Sequence, residues 1–589
     1  MIAGGGAQPK ARTMIVSVPV LNQDLSLADE PAIGRWLSLA SWYVMKGEEP
    51  YFDGPVSRRV AVIDVDPTSG ALRPGARFVD GRPLGETSYY EVEPGERDAW
   101  GVGEIARLDS DAFLQASVFG TVIQTVQMFE RAPMLGRPVR WAFAGEQLLV
   151  VPRAGEMANA FYQRETASLQ FFSVGGDEPG RQPIHTALSH DVVAHETAHA
   201  VLDGICPDLY DAISPQARAL HETFADIVSL LSSLGDRHRL RMELDIEGRS
   251  LRSQTTFARL AEQLGREVGA EVGADALRDA NNRRTLKSGD TSRDRHNRPN
   301  YVDGIAPHDL SMVMTGAFYG VFRRLAVAER TRFQVGIPKS WARLGLGPAA
   351  LGAHLAAQRV AQSVIRALDH LPPGEATFAD FGRAFLAADR LGHPRGEVVR
   401  GWLVNELMDR GVVARRRELT PPSSWPAVAG WDGAAIEADA GAARRFVQRN
   451  RQALGVAEGV PFAVQRYSTG RGQTVVRVTW TAQEPNAAAS RIAPLRAVST
   501  GTALVADTSS GRVLSLLKSD TTHPRQATDR DRVVRWLADE GLLLTPEEAV
   551  GPDGRRLVAP LVARSVRQTL TLTGGARMVH CLNFPTPEG

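Results

Sequence analysis

The segment 189–204, SHDVVAHETAHAVLDG, restricts what this chain can fold into more than any other, because two histidines four residues apart interrupt an apolar run. On an α-helix residues i and i+4 share a face, so the pattern predicts a helix that presents His195 and His199 to one metal ion. Glu196 could accept a proton from a water on that metal without being a ligand. Coincidence is the alternative, since a chain with 13 histidines shows the bare pattern in about a few per cent of cases.

A third ligand is available in the segment 219–231, ALHETFADIVSLL, which has helical periodicity. Glu222 is expected to begin this second helix, and Asp226 lies one turn further along the same face. Three protein ligands leave a fourth position for water, which is typical of a catalytic rather than a structural zinc. Asp226 is expected to accept the other N–H of a ligating histidine. The alternative for Asp226 is an ordinary solvated helix acid.

With these motifs the chain resembles the thermolysin family of neutral zinc metallopeptidases, the gluzincins, over roughly residues 50–413. The family's segments are matched in order by MANAFYQ (157–163), DVVAHETAHAV (191–201), TLKSG (285–289) and DGIAPHDLSM (303–312). The resemblance implies an α+β fold with two lobes, one β-rich and N-terminal and one helical and C-terminal, with the zinc helix between them. It also implies endopeptidase activity that depends on Zn²⁺.

Catalytic roles for three further residues follow from the resemblance. Tyr210 and His308 match the two groups that donate hydrogen bonds to the oxyanion of the transition state. Asp303 matches the carboxylate that orients the histidine.

Substrate-binding roles follow in the same way. Asn159 and the backbone of Ala160 match an edge strand that binds the substrate peptide, and Lys287 stands where an arginine usually holds a substrate carbonyl. Val192 and Leu286 match the lining of a pocket, which implies cleavage before a hydrophobic residue. Simple core packing is the alternative for Val192 and Leu286.

The chain departs from the family pattern at two places. Asp191 matches a calcium ligand, but the segment 232–241, SSLGDRHRLR, replaces the acidic residues that complete the calcium site, so the sequence does not support calcium dependence. His221 stands where the family usually has asparagine. These departures keep open a second interpretation, a catalytically weak or inactive binding or scaffold protein that presents its C-terminal domain to a partner. A metal hydrolase with a non-peptide substrate is a third.

The length of 589 residues predicts several domains. We expect a β-rich N-terminal region (1–105), a zinc-binding part of the peptidase (106–235), a mostly helical lobe (236–413), a linker rich in proline and charge (414–430) and an accessory α+β domain (431–589). Expected helices are 111–132, 348–368, 377–391 and 529–543; expected strands or hairpins are 58–66, 473–480, 502–517 and 567–584. Because of the linker, we expect the accessory domain to be separable from the zinc site.

Charge and hydropathy limit the expected partners and location. A net charge of +1 gives no overall basic field, so neither nucleic acid nor a membrane is expected as a partner. A peptide or protein substrate is what the resemblance implies. There is no run of eighteen apolar residues and no convincing signal peptide, which favours the cytoplasm with secretion by another route left open. The two cysteines, Cys206 and Cys581, are expected to be buried apolar residues rather than a disulfide.

Overall fold

Helices make up 43% and strands 21% of the chain in the computed structural model, which confirms the expected mixture of α and β structure. The structure describes residues 14–22, 40–47, 50–81, 86–93, 108, 110–175, 183–252, 255–260, 278–294, 297–422, 424–487, 495–521, 524–539, 543–544 and 562–563. The chain divides into two compact units. Unit 1 comprises residues 1–127, 141–200 and 259–278, and unit 2 comprises residues 128–140, 201–258 and 279–589.

Unit 1 is built mainly from short strands. They are β1 (Met14–Leu21), β2 (Ala40–Gly47), β3 (Tyr51–Phe52), β4 (Val56–Ser57), β5 (Val60–Val62), β6 (Phe78–Val79), β7 (Ser88–Tyr90), β8 (Leu148–Val151), β9 (Ala160–Gln163), β10 (Ser168–Phe171), β11 (Ser173–Val174) and β12 (Ile184–His185). One sheet has the order β2-β1-β7-β6 and the other β3-β4-β5-β8-β10-β9. In the second sheet β8 lies parallel to β5 and β10, whereas β9 at the end is antiparallel to β10. Two further short strands are β13 (Arg259–Leu260) and β14 (Arg278–Asp279).

The first long helix, α1 (Asp111–Glu130), confirms the helix expected at 111–132. The Ser110 hydroxyl accepts the N–H of Phe113 at 3.2 Å and so satisfies one of the free donors at the helix start. Gly120 allows α1 to pack closely on the first sheet, because a Cβ atom there would lie 2.5 Å from Val20 Cγ1. By length and composition, α1 is the one described helix that could cross a membrane, and 72% of its apolar window is buried inside the protein. Core helices of soluble proteins pass the same test, so α1 is weak evidence for a membrane span.

Helix α2 (His190–Ile205) follows strand β12 and belongs to unit 1 up to Ala200. Unit 2 contains most of the remaining helices. They are α3 (Pro207–Tyr210), α4 (Pro215–Ser233), α5 (Arg237–Leu240), α6 (Pro307–Phe333), α7 (Lys339–Ala342), α8 (Pro348–His370), α9 (Phe378–Gly392) and α10 (Glu397–Asp409), with a π-helical turn at Arg241–Ile246. Helix α6 packs against α4 and α8, and α9 packs against α8.

The helices expected at 348–368 and 377–391 are confirmed by α8 and α9. Helix α9 begins with a capping box, in which Thr377 and Asp380 each accept the other's backbone N–H. The expectation that Glu222 begins a helix is wrong, since α4 begins at Pro215. Proline is favoured at the first helical position because its missing N–H would have no helical partner there, and Ser214 precedes it as the N-cap residue.

The C-terminal part of unit 2 has a four-stranded antiparallel sheet. Its described elements are a 3₁₀ turn (Arg416–Glu418), α11 (Gly433–Ala438), α12 (Ala440–Arg449), α13 (Arg451–Leu454), β15 (Ala463–Thr469), β16 (Gln473–Pro485), β17 (Leu495–Asp507), β18 (Val513–Lys518), α14 (Pro524–Asp539), β19 (Leu543–Leu544) and β20 (Val562–Ala563). The sheet order is β15-β16-β17-β18, and residues including Phe446, Val476 and Leu504 form an apolar cluster on it. The strands expected at 473–480 and 502–517 are confirmed; those expected at 567–584 lie outside the described residues.

Candidate metal centre

The central part of α2 is buried on every side, which explains its nearly continuous apolar sequence. Val193, Ala194, Thr197 and Ala198 are 0–1% exposed. The ionisable residues in this central part are His195 and His199, each 9% exposed, and Glu196, which is 7% exposed. A helix buried this fully keeps charged residues only where they are paired or bind an ion, so these three are the natural candidates for a metal site.

The two histidines lie close to the geometry that a shared metal ion would need. Their Nε2 atoms lie 3.1 Å apart, and the ring planes make an angle of 86°. Two nitrogens bound at about 2.0–2.1 Å to one tetrahedral zinc would be about 3.3 Å apart, so only a small adjustment is needed. One ligand atom from each of His195, Glu196 and His199 lies within 4.8 Å of the others, and the group could hold a metal ion.

Glu196 is positioned by the strand expected to bind substrate. Its Oε2 accepts the backbone N–H of Tyr162 in β9 at 3.1 Å. Strand β9 is the last in the order of its sheet and begins at Ala160. Asn159 precedes it, is half-buried, and accepts a hydrogen bond from Thr186 on its backbone oxygen at 3.4 Å. Unit 1 therefore brings the proposed base and the proposed substrate strand together.

Arg278 is a neighbour of the histidine pair that the sequence motifs do not indicate. Its Nη1 lies 3.5 Å from Nε2 of His195, the nitrogen that also faces His199. A guanidinium can only donate, so a hydrogen bond here would use a lone pair on Nε2 of His195, the same lone pair that a metal would use. Arg278 lies 83 positions from His195 and in no recognised motif, so no local signal could have found it.

In unit 2, the third expected ligand contacts the expected transition-state histidine. Oε2 of Glu222 lies 3.2 Å from Nε2 of His308. The Glu222 side chain is 13% exposed and that of His308 is 42% exposed. Helices α4 and α6, which carry these residues, pack against each other. The sequence placed these residues in separate motifs and gave no indication of this contact.

Asp226 is fully buried, which rules out the alternative that it is a solvated helix acid. Its Oδ2 is 3.4 Å from the Ser311 hydroxyl and 3.3 Å from the Thr315 hydroxyl, both on α6. These contacts connect α4 and α6 close to Glu222 and His308. The expected role of Asp226 towards a ligating histidine stays a prediction.

The other expected transition-state residues also lie in unit 2. Tyr210, the last residue of α3, is buried, and its ring lies edge-on to that of His221 with centroids 6.0 Å apart. The Asp303 carboxylate lies 3.3 Å from Nη1 of Arg532 in α14. Asp303 is therefore held by the C-terminal part of the chain, a contact that no motif indicates.

The expected pocket and calcium residues are mostly buried. Val192 and Leu286 are each 7% exposed, which both pocket lining and core packing would produce. Lys287 is exposed. Asp191 is 4% exposed, and the segment 232–241 after α4 contributes only one acidic residue, Asp236, which caps α5. Cys206 is buried as a free thiol, as expected, and Cys581 lies outside the described residues.

No protein-family model and no curated protein matches this chain. The functional interpretation therefore rests on the chain's own residues. In unit 1, two imidazoles and a carboxylate form a group able to hold a metal ion, next to a strand at the end of a sheet.

Proposed function

We propose that the chain is a zinc-dependent endopeptidase with a thermolysin-like arrangement of lobes between residues 50 and 413. The observation that carries this proposal is the pair of Nε2 atoms of His195 and His199, which face each other at 3.1 Å beside the buried Glu196. The two nitrogens are within hydrogen-bond distance of each other, and the spacing of two histidines at i and i+4 with a glutamate after the first is the one used to bind zinc.

The proposed ligands are His195, His199 and, on the grounds of sequence alone, Glu222. Two imidazoles and one carboxylate are donors that suit zinc. When bound, zinc would polarise a water so that it can lose a proton near neutral pH.

Glu196 is proposed as the general base that accepts the proton of the attacking water and later delivers it to the leaving amine. The Tyr162 N–H, 3.1 Å from Oε2, supports this role because it fixes the position of the carboxylate. Tyr210 and His308 would donate hydrogen bonds to the oxygen that becomes negative as the carbonyl is attacked. Loss of one such donor typically costs about 2.7–4 kcal/mol of transition-state stabilisation.

The substrate is proposed to bind as an added strand along β9. An extended peptide can pair with the backbone of a strand at the end of a sheet, and Asn159 and Ala160 lie where β9 begins. Val192 and Leu286 would favour a hydrophobic side chain after the scissile bond, and Lys287 would hold a substrate carbonyl.

The test is zinc analysis combined with a peptidase assay on the full chain. We expect close to one zinc per molecule and cleavage of casein or of a furylacryloyl dipeptide with a hydrophobic second residue. His199→Ala should lose both, whereas His238→Ala, at an exposed histidine on α5, should keep both. A wild-type chain that takes up no zinc when incubated with it would overturn the proposal.

A binding or scaffold protein without strong peptidase activity is the second candidate. The contacts of Glu222 with His308 and of Asp303 with Arg532 favour it, because each engages a group that catalysis would need. A zinc-loaded wild-type chain that cleaves neither substrate would support this second function.

A further inference from the structure

Three arginines of the C-terminal part of unit 2 reach into segments next to the proposed site residues. They are Arg477 in β16 and Arg530 and Arg532 in α14. Each makes at least one contact with a residue more than 150 positions away in the sequence. These contacts assign a role to a region for which the motifs indicate none.

Arg477 binds the ends of two helices. It is 2% exposed, and its guanidinium donates to the backbone oxygen of Ile205, the last residue of α2, and to those of Leu368 and Leu371 at 3.1 and 2.8 Å. The last carbonyls of a helix lack partners within the helix and carry the negative end of its dipole. Arg477 therefore caps α8 together with α2, the helix that carries His195 and His199.

Arg530 binds the start of the helix that carries Glu222. It is fully buried, and its Nη1 donates to the hydroxyl of Ser214, the N-cap residue of α4, at 2.8 Å. The same nitrogen is 3.4 Å from Glu375, whose carboxylate also accepts the backbone N–H of Ser214 at 3.0 Å. The other side of the guanidinium binds Glu484 in β16, with distances of 2.7 and 2.6 Å.

Arg532 binds the segment that leads to His308. Its guanidinium contacts both the carboxylate of Asp303, at 3.3 Å, and the backbone oxygen of Asp303. Helix α6 begins four residues later, at Pro307, and His308 follows. The Arg532 side chain is 39% exposed, so this contact lies nearer the surface than the other two.

We propose that the C-terminal region positions the metal centre, with Arg477, Arg530 and Arg532 as positioning residues. They contact the end of α2, the start of α4 and the segment before α6. The proposed ligands lie on α2 and α4, and His308 lies on α6. The inference rests on the proposed zinc site. According to this inference, the C-terminal region acts on the proposed site of its own chain. The linker, by contrast, predicts a separable domain.

The test uses full-length variants and a zinc dissociation constant measured by competition with a chelator. Arg530→Gln removes the charge that Glu375 and Glu484 share, so we expect zinc binding to weaken on the order of tenfold or more, as for other groups that orient metal ligands. Arg530→Lys should recover part of the affinity, because one ammonium can replace some of the contacts. Arg512→Ala, at an exposed arginine before β18, should bind zinc like the wild type.

Arg532→Ala is the variant less prone to misfolding, because the side chains of Arg532 and Asp303 are 39% and 68% exposed. The second partner of Arg532, Asp529, lies 3.8 Å away and keeps Arg525 as a neighbouring positive charge. We expect this variant to fold, to weaken zinc binding by roughly threefold to tenfold, and to change the absorption spectrum of the Co²⁺-substituted protein, which reports ligand geometry. If Arg530→Gln does not fold, Arg532→Ala decides alone.

Two outcomes would overturn the inference, and they are distinguishable. A wild-type chain without zinc would remove the proposed function and this inference with it. If the wild type binds zinc, but folded Arg530→Gln and Arg532→Ala show wild-type affinity and an unchanged cobalt spectrum with only a lower melting temperature, the C-terminal region is purely structural.

Discussion

Two clusters of buried ionisable side chains can be compared, and they differ in what they bring together. In α2, His195, Glu196 and His199 bring two imidazole nitrogens to 3.1 Å beside a carboxylate. Around Arg530, two guanidinium groups share the carboxylate of Glu484. The Arg530 cluster joins opposite charges, which compensate one another in the interior, whereas the α2 cluster joins groups that prefer the same cation.

Under the proposed function, this difference separates a site for chemistry from a site for folding. A buried ion pair is satisfied by its own residues, so its loss affects stability and the geometry of what it holds. The two imidazoles are the proposed ligands of a zinc ion from solution, so their loss should affect zinc binding and turnover. Variants in each cluster should therefore change different measured quantities.

The largest expected effect is on turnover, from Glu196→Gln. The change removes a base but no proposed ligand, so kcat should fall on the order of 10²–10⁴-fold while zinc content stays near one per molecule. Steady-state kinetics and elemental analysis on the same preparation provide the measurement. Glu165→Gln, at an exposed glutamate after β9, is the matched control and should leave both values unchanged. Loss of zinc from the Glu196→Gln protein would indicate that Glu196 is a metal ligand. Wild-type turnover in this variant would show that Glu196 is not the base.

A smaller effect is expected from His308→Ala. This variant tests whether His308 takes part in catalysis or only positions Glu222. As an oxyanion donor it should contribute a factor on the order of a hundred in kcat, measured with zinc in excess. Asp303→Ala should show a smaller loss of the same kind, and the double variant should be strongly non-additive. Additive losses would show that Asp303 does not act through His308. A zinc-saturated His308→Ala enzyme with normal kcat but weakened zinc affinity would show that His308 acts only by orienting Glu222.

The α2 cluster could be predicted from the sequence because it is local. His195, Glu196 and His199 lie within five positions, and helical geometry alone puts the two histidines on one face. The long helices α1, α8 and α9 were predictable for the same reason, since apolar periodicity and the Thr377 capping box are signals within one segment.

The Arg530 cluster could not be predicted, because its members come from distant parts of the chain. Ser214 and Arg530 are 316 positions apart, and no local pattern distinguishes a buried arginine from an exposed one. The contact of Arg278 with His195 and that of Glu222 with His308 could not be predicted for the same reason, because the residues of each pair are distant in the sequence. The start of α4 differs from the expected one for another reason, because the Ser-Pro pair at 214–215 is the signal that begins the helix, seven residues before the acid at 222.

The smallest effect at neutral pH is expected at His370, a buried histidine that belongs to neither cluster. It ends α8, is 3% exposed, and its Nδ1 lies 2.6 Å from the hydroxyl of Ser515 in β18. Burial lowers the pKa of His370 to about 4, an effect that the neighbouring Asp369 opposes in part. His370 thus stays neutral near neutral pH and is given no metal in the proposed function, in contrast to His195 and His199.

The pH dependence of stability tests this contrast. Between the unfolded pKa near 6.5 and the folded pKa near 4, the unfolded chain binds more protons, so stability falls as the pH is lowered through this range. The full effect is on the order of 3 kcal/mol below pH 4 and is absent above about pH 7. His370→Gln cannot be protonated, so urea unfolding between pH 7 and pH 4 should show a weaker loss of stability than the wild type. The exposed-site control His238→Gln should retain the wild-type dependence. An unchanged pH dependence in His370→Gln would mean that His370 is not the group that titrates, and that the acid sensitivity arises at partly buried histidines such as His185, His354 or His393, whose pKa values burial also lowers.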